Sequence, residues 1–194
     1  MSANQVFELR DEPDKLPGFL QVYSTNKPDS ETWKEDIGIR SREFGSRSFG
    51  ANYKPVLIEF NNEGKRKKNA VGDICLSMRP FIIFSDKARQ ALDAILSPVG
   101  EFLPVAAPVP GFVGYRVLKH LNDCIDIERS MHTKYDNGNV LVRKATMYTA
   151  KVRGHDIFAV SNAVGGLFIS DAFKAVVELA KLKGFDFSKE VPLV

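Results

Sequence analysis

The sequence predicts an α+β fold with mostly antiparallel sheet, and three features carry that prediction. Short apolar, strand-like runs dominate the first 80 residues and return between residues 112 and 160. Two amphipathic helices come late in the chain, and each lies inside a repeated strand-helix-strand unit. Strands that are grouped apart from helices favour α+β architecture, whereas regular alternation would favour a doubly wound parallel sheet.

The repeated unit recurs with an offset of about 85 residues, which aligns Ser85-Asp86 with Ser170-Asp171. A Ser or Asp immediately before an apolar helix face is an N-cap, because its side-chain oxygen accepts a backbone N–H of the first turn. Apolar positions at i, i+3, i+4 and i+7 predict one buried helix face in each copy. These positions are Ala88, Ala91, Leu92 and Ile95 in the first copy and Phe173, Val176, Val177 and Ala180 in the second. Duplication, selection for a shared docking geometry and chance similarity would each produce such a repeat.

The remaining elements follow from alternating or continuous apolar runs bounded by turn residues. Residues 24–53 show no sustained period and are predicted to be irregular, and a connection of this length is usually functional or mobile. Strands are predicted at 6–9, 19–23, 55–60, 81–84, 102–105, 112–118, 122–128, 140–145 and 147–152, and residues 155–160 lead into the second copy of the repeat.

Length and composition bound the class of protein. The chain has 194 residues, 44% of them hydrophobic, and a net charge of +3. A single domain over 1–194 is expected, and two lobes that share a core, a β-rich lobe 1–75 and a repeat-bearing lobe 76–194, are the alternative. No apolar run reaches the roughly 20 residues of a membrane helix, and no signal peptide is visible, so we expect a cytoplasmic protein. Cys75 and Cys124 are expected to be reduced and buried.

Candidate reactive groups are few. His120 and Cys124 are four residues apart, but the alternation around Cys124 predicts a strand, in which they would lie about 13 Å apart. Asp126 and Glu128 would share a strand face, as paired carboxylates of general acid-base catalysis do, but an ordinary solvent-facing strand surface is the simpler explanation. The basic cluster from Lys65 to Lys68 could contact nucleic acid, but the balanced charge and the missing binding module argue against it.

Three stretches, in this order, resemble the bacterial immunity proteins of family eleven in polymorphic-toxin systems. The resemblance covers roughly residues 75–187. The segments that carry it are 81–92 with 100–105, then 115–118 with 122–130, then 156–158 with 167–171 and 184–187.

This resemblance implies a non-catalytic protein that binds and neutralises a cognate toxin by occlusion, with no cofactor, no metal and no catalytic residues. Its partner would be a toxin domain or effector protein, and no membrane or nucleic-acid partner is expected. The alternatives are a small cytoplasmic enzyme that uses Asp126 and Glu128 or Cys124, and a protein that binds nucleic acid through Lys65 to Lys68. The toxin's identity and activity, the affinity and the oligomeric state stay open, a homodimer included.

Two groups of side chains are candidates for the toxin interface. One is an acidic set suited to basic toxin surfaces, and the other lies in the irregular segment and carries tryptophan and arginine, which are common anchors of interfaces. The candidates are Trp33, Arg40, Arg42, Arg47, Asp123, Asp126 and Glu128.

Overall fold

The structure is a computed structural model that describes residues 5–24, 33–62 and 69–194. These residues form small, largely antiparallel sheets with helices packed on them, so the predicted α+β class is confirmed. The helices are α1 (Ile37–Phe44), α2 (Asp86–Leu96), α3 (Thr149–Val152) and α4 (Asp171–Leu179), with a 3-10 turn at Gly50–Asn52. The strands are β1 (Val6–Glu8), β2 (Arg10–Asp11), β3 (Phe19–Gln21), β4 (Val56–Phe60), β5 (Ile74–Cys75), β6 (Ile82–Ser85), β7 (Gly100–Leu103), β8 (Val105–Ala106), β9 (Phe112–Val117), β10 (Met131–Lys134), β11 (Val140–Lys144), β12 (Ile157–Ala159), β13 (Leu167–Ser170), β14 (Phe185–Asp186) and β15 (Glu190–Val191).

The predicted repeat is present as two units with matching strand pairing. In the first unit the strand order is β5-β6-β9-β7, and helix α2 follows β6. In the second unit β12 pairs with β13, β13 pairs with β1, and β2 pairs with β14, while helix α4 follows β13. The N-terminal strands β1 and β2 therefore occupy the place that β9 has in the first unit. The two units share a geometry although the chain enters them in a different order.

The contacts at the two helix starts match atom for atom. In each unit a serine hydroxyl accepts the backbone N–H three residues later and donates to the aspartate that directly precedes the neighbouring strand. The residues are Ser85, Ala88 and Asp73 in the first unit, at 3.1 and 2.6 Å, and Ser170, Phe173 and Asp156 in the second, at 3.1 and 2.8 Å. Both predicted N-caps are thus confirmed. Each capping serine is also held by a hydrogen bond to an aspartate, which the sequence analysis did not predict.

The two units meet through α2 and α4. On the predicted apolar faces, Ala88, Leu92, Phe173 and Val177 are buried in the central cluster, and Ile95 and Val176 pack against it while partly exposed. Alternate residues of each strand point to opposite faces, so β6 and β13 also contribute to outer clusters. Three hydrophobic clusters result among the described residues: a central one between the units, one behind the first sheet that includes Phe19, Ile37, Phe81 and Ile83, and one behind the second sheet that includes Val6, Met147, Phe158 and Phe168.

Three sequence predictions were wrong. Residues 122–128 form a turn with an isolated bridge between Ile125 and Met147 in place of a strand. Residues 147–152 were predicted as a strand, but the helix α3 begins at Thr149. The segment 24–53, predicted to be irregular, contains α1. Its apolar period is interrupted by Gly38 and Ser41, which occupy buried positions of the helix, and this interruption hid the pattern.

Strand pairs cross the boundary between the two lobes considered above, because β1 pairs with β13 and β15, and β5 pairs with β6. The organisation of 1–194 as one domain stays a prediction. Across the described ranges, none of the helices has the length and apolar character that crossing a membrane requires.

Candidate functional site

Helix α1 is held close to the first unit by a small residue and a strong cap. Asp36 Oδ1 accepts the N–H of Ile39 at 2.7 Å, which fixes the start of the helix. A Cβ atom at Gly38 would lie 2.7 Å from the carbonyl oxygen of Arg79, so only glycine allows this approach. Helix α1 is therefore anchored directly over residues 78–79, whereas residues 25–32 of the predicted irregular segment lie outside the described residues.

Arg116 forms hydrogen bonds to the C-terminal end of α1, and the sequence analysis did not identify this residue as a candidate. Arg116 is 2% exposed on the outer face of β9. Its Nη2 donates to the carbonyls of Ser41 and Gly45 at 3.3 and 2.8 Å, and its Nη1 pairs with Glu101 Oε1 at 2.8 Å. The sequence did contain a sign of this role, which is a single charged residue within an otherwise apolar strand. A charge that is buried with such a strand must be paired or hydrogen-bonded.

Aromatic rings order the predicted interface arginines. The Arg40 guanidinium lies 5.2 Å from the ring of Phe49, and that of Arg47 lies 5.3 Å from the ring of Phe44. Arg47 also donates to the carbonyls of Phe44 and Glu43, at 3.3 and 3.1 Å. These cation–π and hydrogen-bond contacts restrict side chains that would otherwise be mobile.

Trp33 and Arg42 complete this group, which we call the α1 surface: Trp33, Arg40, Arg42 and Arg47. Trp33 is 47% exposed, with Lys34 Nζ 5.8 Å from its ring. Arg42 is exposed and donates to the carbonyl of Arg79 at 2.8 Å. The structure thus brings the four predicted residues onto one helix and its two flanks.

The predicted acidic set is divided by the turn that replaces the predicted strand. Asp123 and Glu128 are exposed, whereas Asp126 is 8% exposed. Asp126 Oδ1 accepts the N–H of Arg129 at 3.1 Å, and Ser130 Oγ donates to the carbonyl of Asp126. Asp126 and Glu128 therefore do not share a strand face as expected, and the Asp126 carboxylate stabilises the turn that contains Glu128.

The cysteine chemistry considered in the sequence analysis is not favoured by the site geometry. Cys75 and Cys124 are both buried free thiols, as predicted. Burial raises the pKa of Cys124 to about 11, which disfavours the nucleophilic thiolate. The Nδ1 atom of His120 contacts Ser161 Oγ at 3.2 Å, and the Cys124 thiol donates weakly to the carbonyl of Leu121.

The described residues include neither a group of metal ligands nor the basic cluster considered for nucleic-acid binding. The described part of the chain has no group of three or more His, Cys, Asp or Glu side chains placed to hold a metal ion. The basic cluster from Lys65 to Lys68 lies outside the described residues.

Comparison with known proteins gives one finding. The model described as Immunity protein family (Imm11) matches residues 34–191 of this chain. That span includes α1, the whole first unit, the acidic turn and most of the second unit. No curated protein matches the chain.

Proposed function

The chain belongs to the Imm11 immunity protein family, so its function is immunity, and we propose that it acts by binding a cognate toxin and occluding the toxin's working surface. The match over residues 34–191 is the observation that carries the proposal. A toxin partner follows from immunity function in general. The finer proposal is a stoichiometric, non-catalytic complex in bacterial competition, in which the toxin belongs to a polymorphic system.

The α1 surface is the first proposed contact. A stable interface of standard size buries about 1,600 Å² and depends on a few aromatic or arginine anchors. Trp33 offers an exposed ring, and Arg40 and Arg47 are already ordered on Phe49 and Phe44. Side chains that are ordered before binding lose less conformational entropy in the complex. The α1 surface therefore combines the residue types and the rigidity that an inhibitory contact requires.

The acidic turn is the second proposed contact. Asp123 and Glu128 carry exposed carboxylates, and Asp126 stabilises the turn that contains Glu128. Negative charge on this turn would accelerate capture of a toxin with a basic surface, because opposite charges steer diffusional encounter.

We propose the cytoplasm as the compartment of action. Two free cysteines without a disulfide fit a reducing compartment.

The decisive experiment titrates the cognate toxin domain, to be sought first among the products of neighbouring genes, with the purified protein. We expect toxin activity to fall linearly to zero at an equimolar ratio, because a binding inhibitor is consumed one for one. The toxin released from the complex by denaturant should have an unchanged mass and regain activity on refolding. Loss of activity at far below one equivalent, or a covalently altered toxin, would show an enzyme, and absence of both complex and protection would refute the proposal.

The contact surface is tested by the change Trp33→Ala, with Tyr135→Ala as the matched control. The two aromatic side chains are 47% and 46% exposed, so they differ in position far more than in exposure. We expect Trp33→Ala to weaken the complex at least about 30-fold, the loss of roughly 2 kcal/mol that is typical of an anchor. Tyr135→Ala should leave the affinity within a factor of about 2. If Tyr135→Ala weakens the complex and Trp33→Ala does not, the interface lies at the β10–β11 hairpin, and the proposed binding function still holds.

A further inference from the structure

A cavity of about 280 Å³ lies where α1 and the two units meet. The connection from β5 to β6 lines it with Arg79 and Pro80. The equivalent connection from β12 to β13 lines it with Val160, Ser161, Ala163, Gly165 and Gly166. Arg116 and His120 complete the wall from the first unit and from the chain that follows it. Junctions between structural units are common positions for ligand sites.

The cavity is lined by basic groups. The guanidinium groups of Arg42, Arg79 and Arg116 and the imidazole of His120 line it, and no Asp or Glu is among its lining residues in the described part of the chain. Arg116 pairs with Glu101 at 2.8 Å, and Arg79 forms a longer ion pair with Asp11, at 3.7 Å. Arg42 forms no ion pair with the described residues and donates to the Arg79 carbonyl, which brings a further cation to the same wall. An excess of positive charge in a partly enclosed space favours an anionic occupant.

Two buried polar atoms in the same wall have no hydrogen-bond partner among the described residues: Ser41 Oγ and Arg79 Nε. Ser41 is only 3% exposed, and Arg79 Nε can act only as a donor. A buried donor without an acceptor costs about 1–3 kcal/mol, so a water, an ion or a ligand that supplies an acceptor there stabilises the protein. Both atoms belong to residues that line the cavity, and an oxyanion supplies the acceptors that they lack.

We propose that this cavity binds a carboxylate or phosphate group, held by Arg42 and Arg79 and by the hydroxyl of Ser41. Planar guanidinium groups match both anions geometrically, and the volume is that of a small ligand or of one inserted side chain. The group belongs either to a small free anion or to an acidic side chain of a bound protein. The assignment goes beyond the proposed function and can be tested without the toxin.

The first test titrates the protein with malonate and with inorganic phosphate, at constant ionic strength set with chloride. The His120 imidazole resonances report occupancy, because a bound anion stabilises the protonated ring. We expect saturable shifts with a Kd of the order of 1–10 mM, since ligands of so few atoms rarely bind more tightly. The pKa of His120 should rise in the presence of the anion.

Variants show whether the shifts come from the cavity. Arg79→Gln and Arg42→Gln should each weaken anion binding at least about fivefold, because each removes one charged donor. Arg143→Gln is the matched control, because Arg143 is exposed on β11 and bonds only to Thr133 among the described contacts. Two arginine variants are used so that the test survives if one of them is poorly folded, and thermal melts identify such a case. No saturable shift at His120, or equal affinity in all three variants, would overturn the proposal.

A second arm identifies the source of the anion once the first is positive. Malonate competes with formation of the toxin complex if the toxin inserts a carboxylate into the cavity. If malonate instead binds the complex with unchanged affinity, the natural ligand is a small free anion.

Discussion

Arg116 shows how one residue decides the position of a functional element. It donates to the carbonyls of Ser41, Gly45 and Arg47, and its guanidinium lies 4.0 Å from the ring centre of Phe49. Burial lowers the pKa of Arg116, and the adjacent Glu101 carboxylate opposes that shift. The residue therefore connects β9 to the last turn of α1 and to the segment that follows it.

We predict that Arg116→Met lowers the free energy of unfolding by about 3–5 kcal/mol, because removal of one partner leaves a buried charge uncompensated. Urea denaturation followed by circular dichroism measures this change. Arg143→Met, at an exposed position, should stay within about 0.5 kcal/mol of the wild type. The double variant Arg116→Met/Glu101→Gln should recover part of the loss. If Arg116→Met is as stable as the control, Arg116 does not hold α1 against β9 as we infer.

His120 should make stability depend on pH. Burial lowers its pKa from 6.5, and the positive charge of Arg116 lowers it further, while a backbone hydrogen bond at Val117 opposes both. Between the two pKa values the unfolded chain binds more protons at His120 than the folded chain does. The contribution of His120 to folding stability is therefore fully present above pH 6.5 and is lost as the pH falls through the pKa of the folded state. As the pH is lowered from 6.5, the melting temperature of the wild type should fall, and that of His120→Gln should fall less. Equal slopes would show that His120 does not carry the effect.

At the scale of elements, the paired helix starts explain why the two units adopt one geometry. In both, the capping serine is held by an aspartate that precedes the neighbouring strand, and the strand after the helix contributes an acid to an ion pair. Glu101 pairs with Arg116 at 2.8 Å, and Asp186, at the equivalent position of the second unit, pairs with Arg10 at 3.3 Å. The repetition therefore extends beyond the helix face to polar contacts between strands.

We predict that Ser85→Ala and Ser170→Ala each lower the free energy of unfolding by about 1–2 kcal/mol, because each loses an N-cap and leaves the buttressing aspartate without its donor. Chemical denaturation of both variants provides the comparison. Ser170→Thr should restore most of the loss, since threonine retains the hydroxyl. Ser97→Ala is the control, because Ser97 bonds Asp93 at an exposed position, and it should change stability by less than about 0.5 kcal/mol.

For the whole molecule, shared strands connect the clusters. In β1, Val6 packs in the cluster behind the second sheet and Phe7 packs in the central one. In β6, Ile82 and Phe84 pack centrally while Ile83 packs behind the first sheet. Loss of either strand would open two clusters at once, which favours a single cooperative transition.

We therefore predict that β4 and β11, which lie on opposite sides of the central cluster, lose hydrogen-exchange protection at the same urea concentration. Pulse-labelling mass spectrometry along a urea titration measures both segments in one sample. Circular dichroism should give the same midpoint. Separate midpoints would contradict the single transition and show that the two sides of the central cluster unfold independently.

The sequence alone determined the α+β class, the strand-helix repeat, both N-caps, the buried helix faces and the resemblance to the family. Each of these depends on local signals, such as a 3.6-residue apolar period or a capping residue beside it, which act over a few positions. The tertiary structure decided the rest. The N-terminal strand completes the second unit, Asp126 turns inward while Glu128 stays exposed, and Arg116 fixes α1 beside a basic cavity. These outcomes depend on contacts between residues far apart in the chain, which no local pattern encodes.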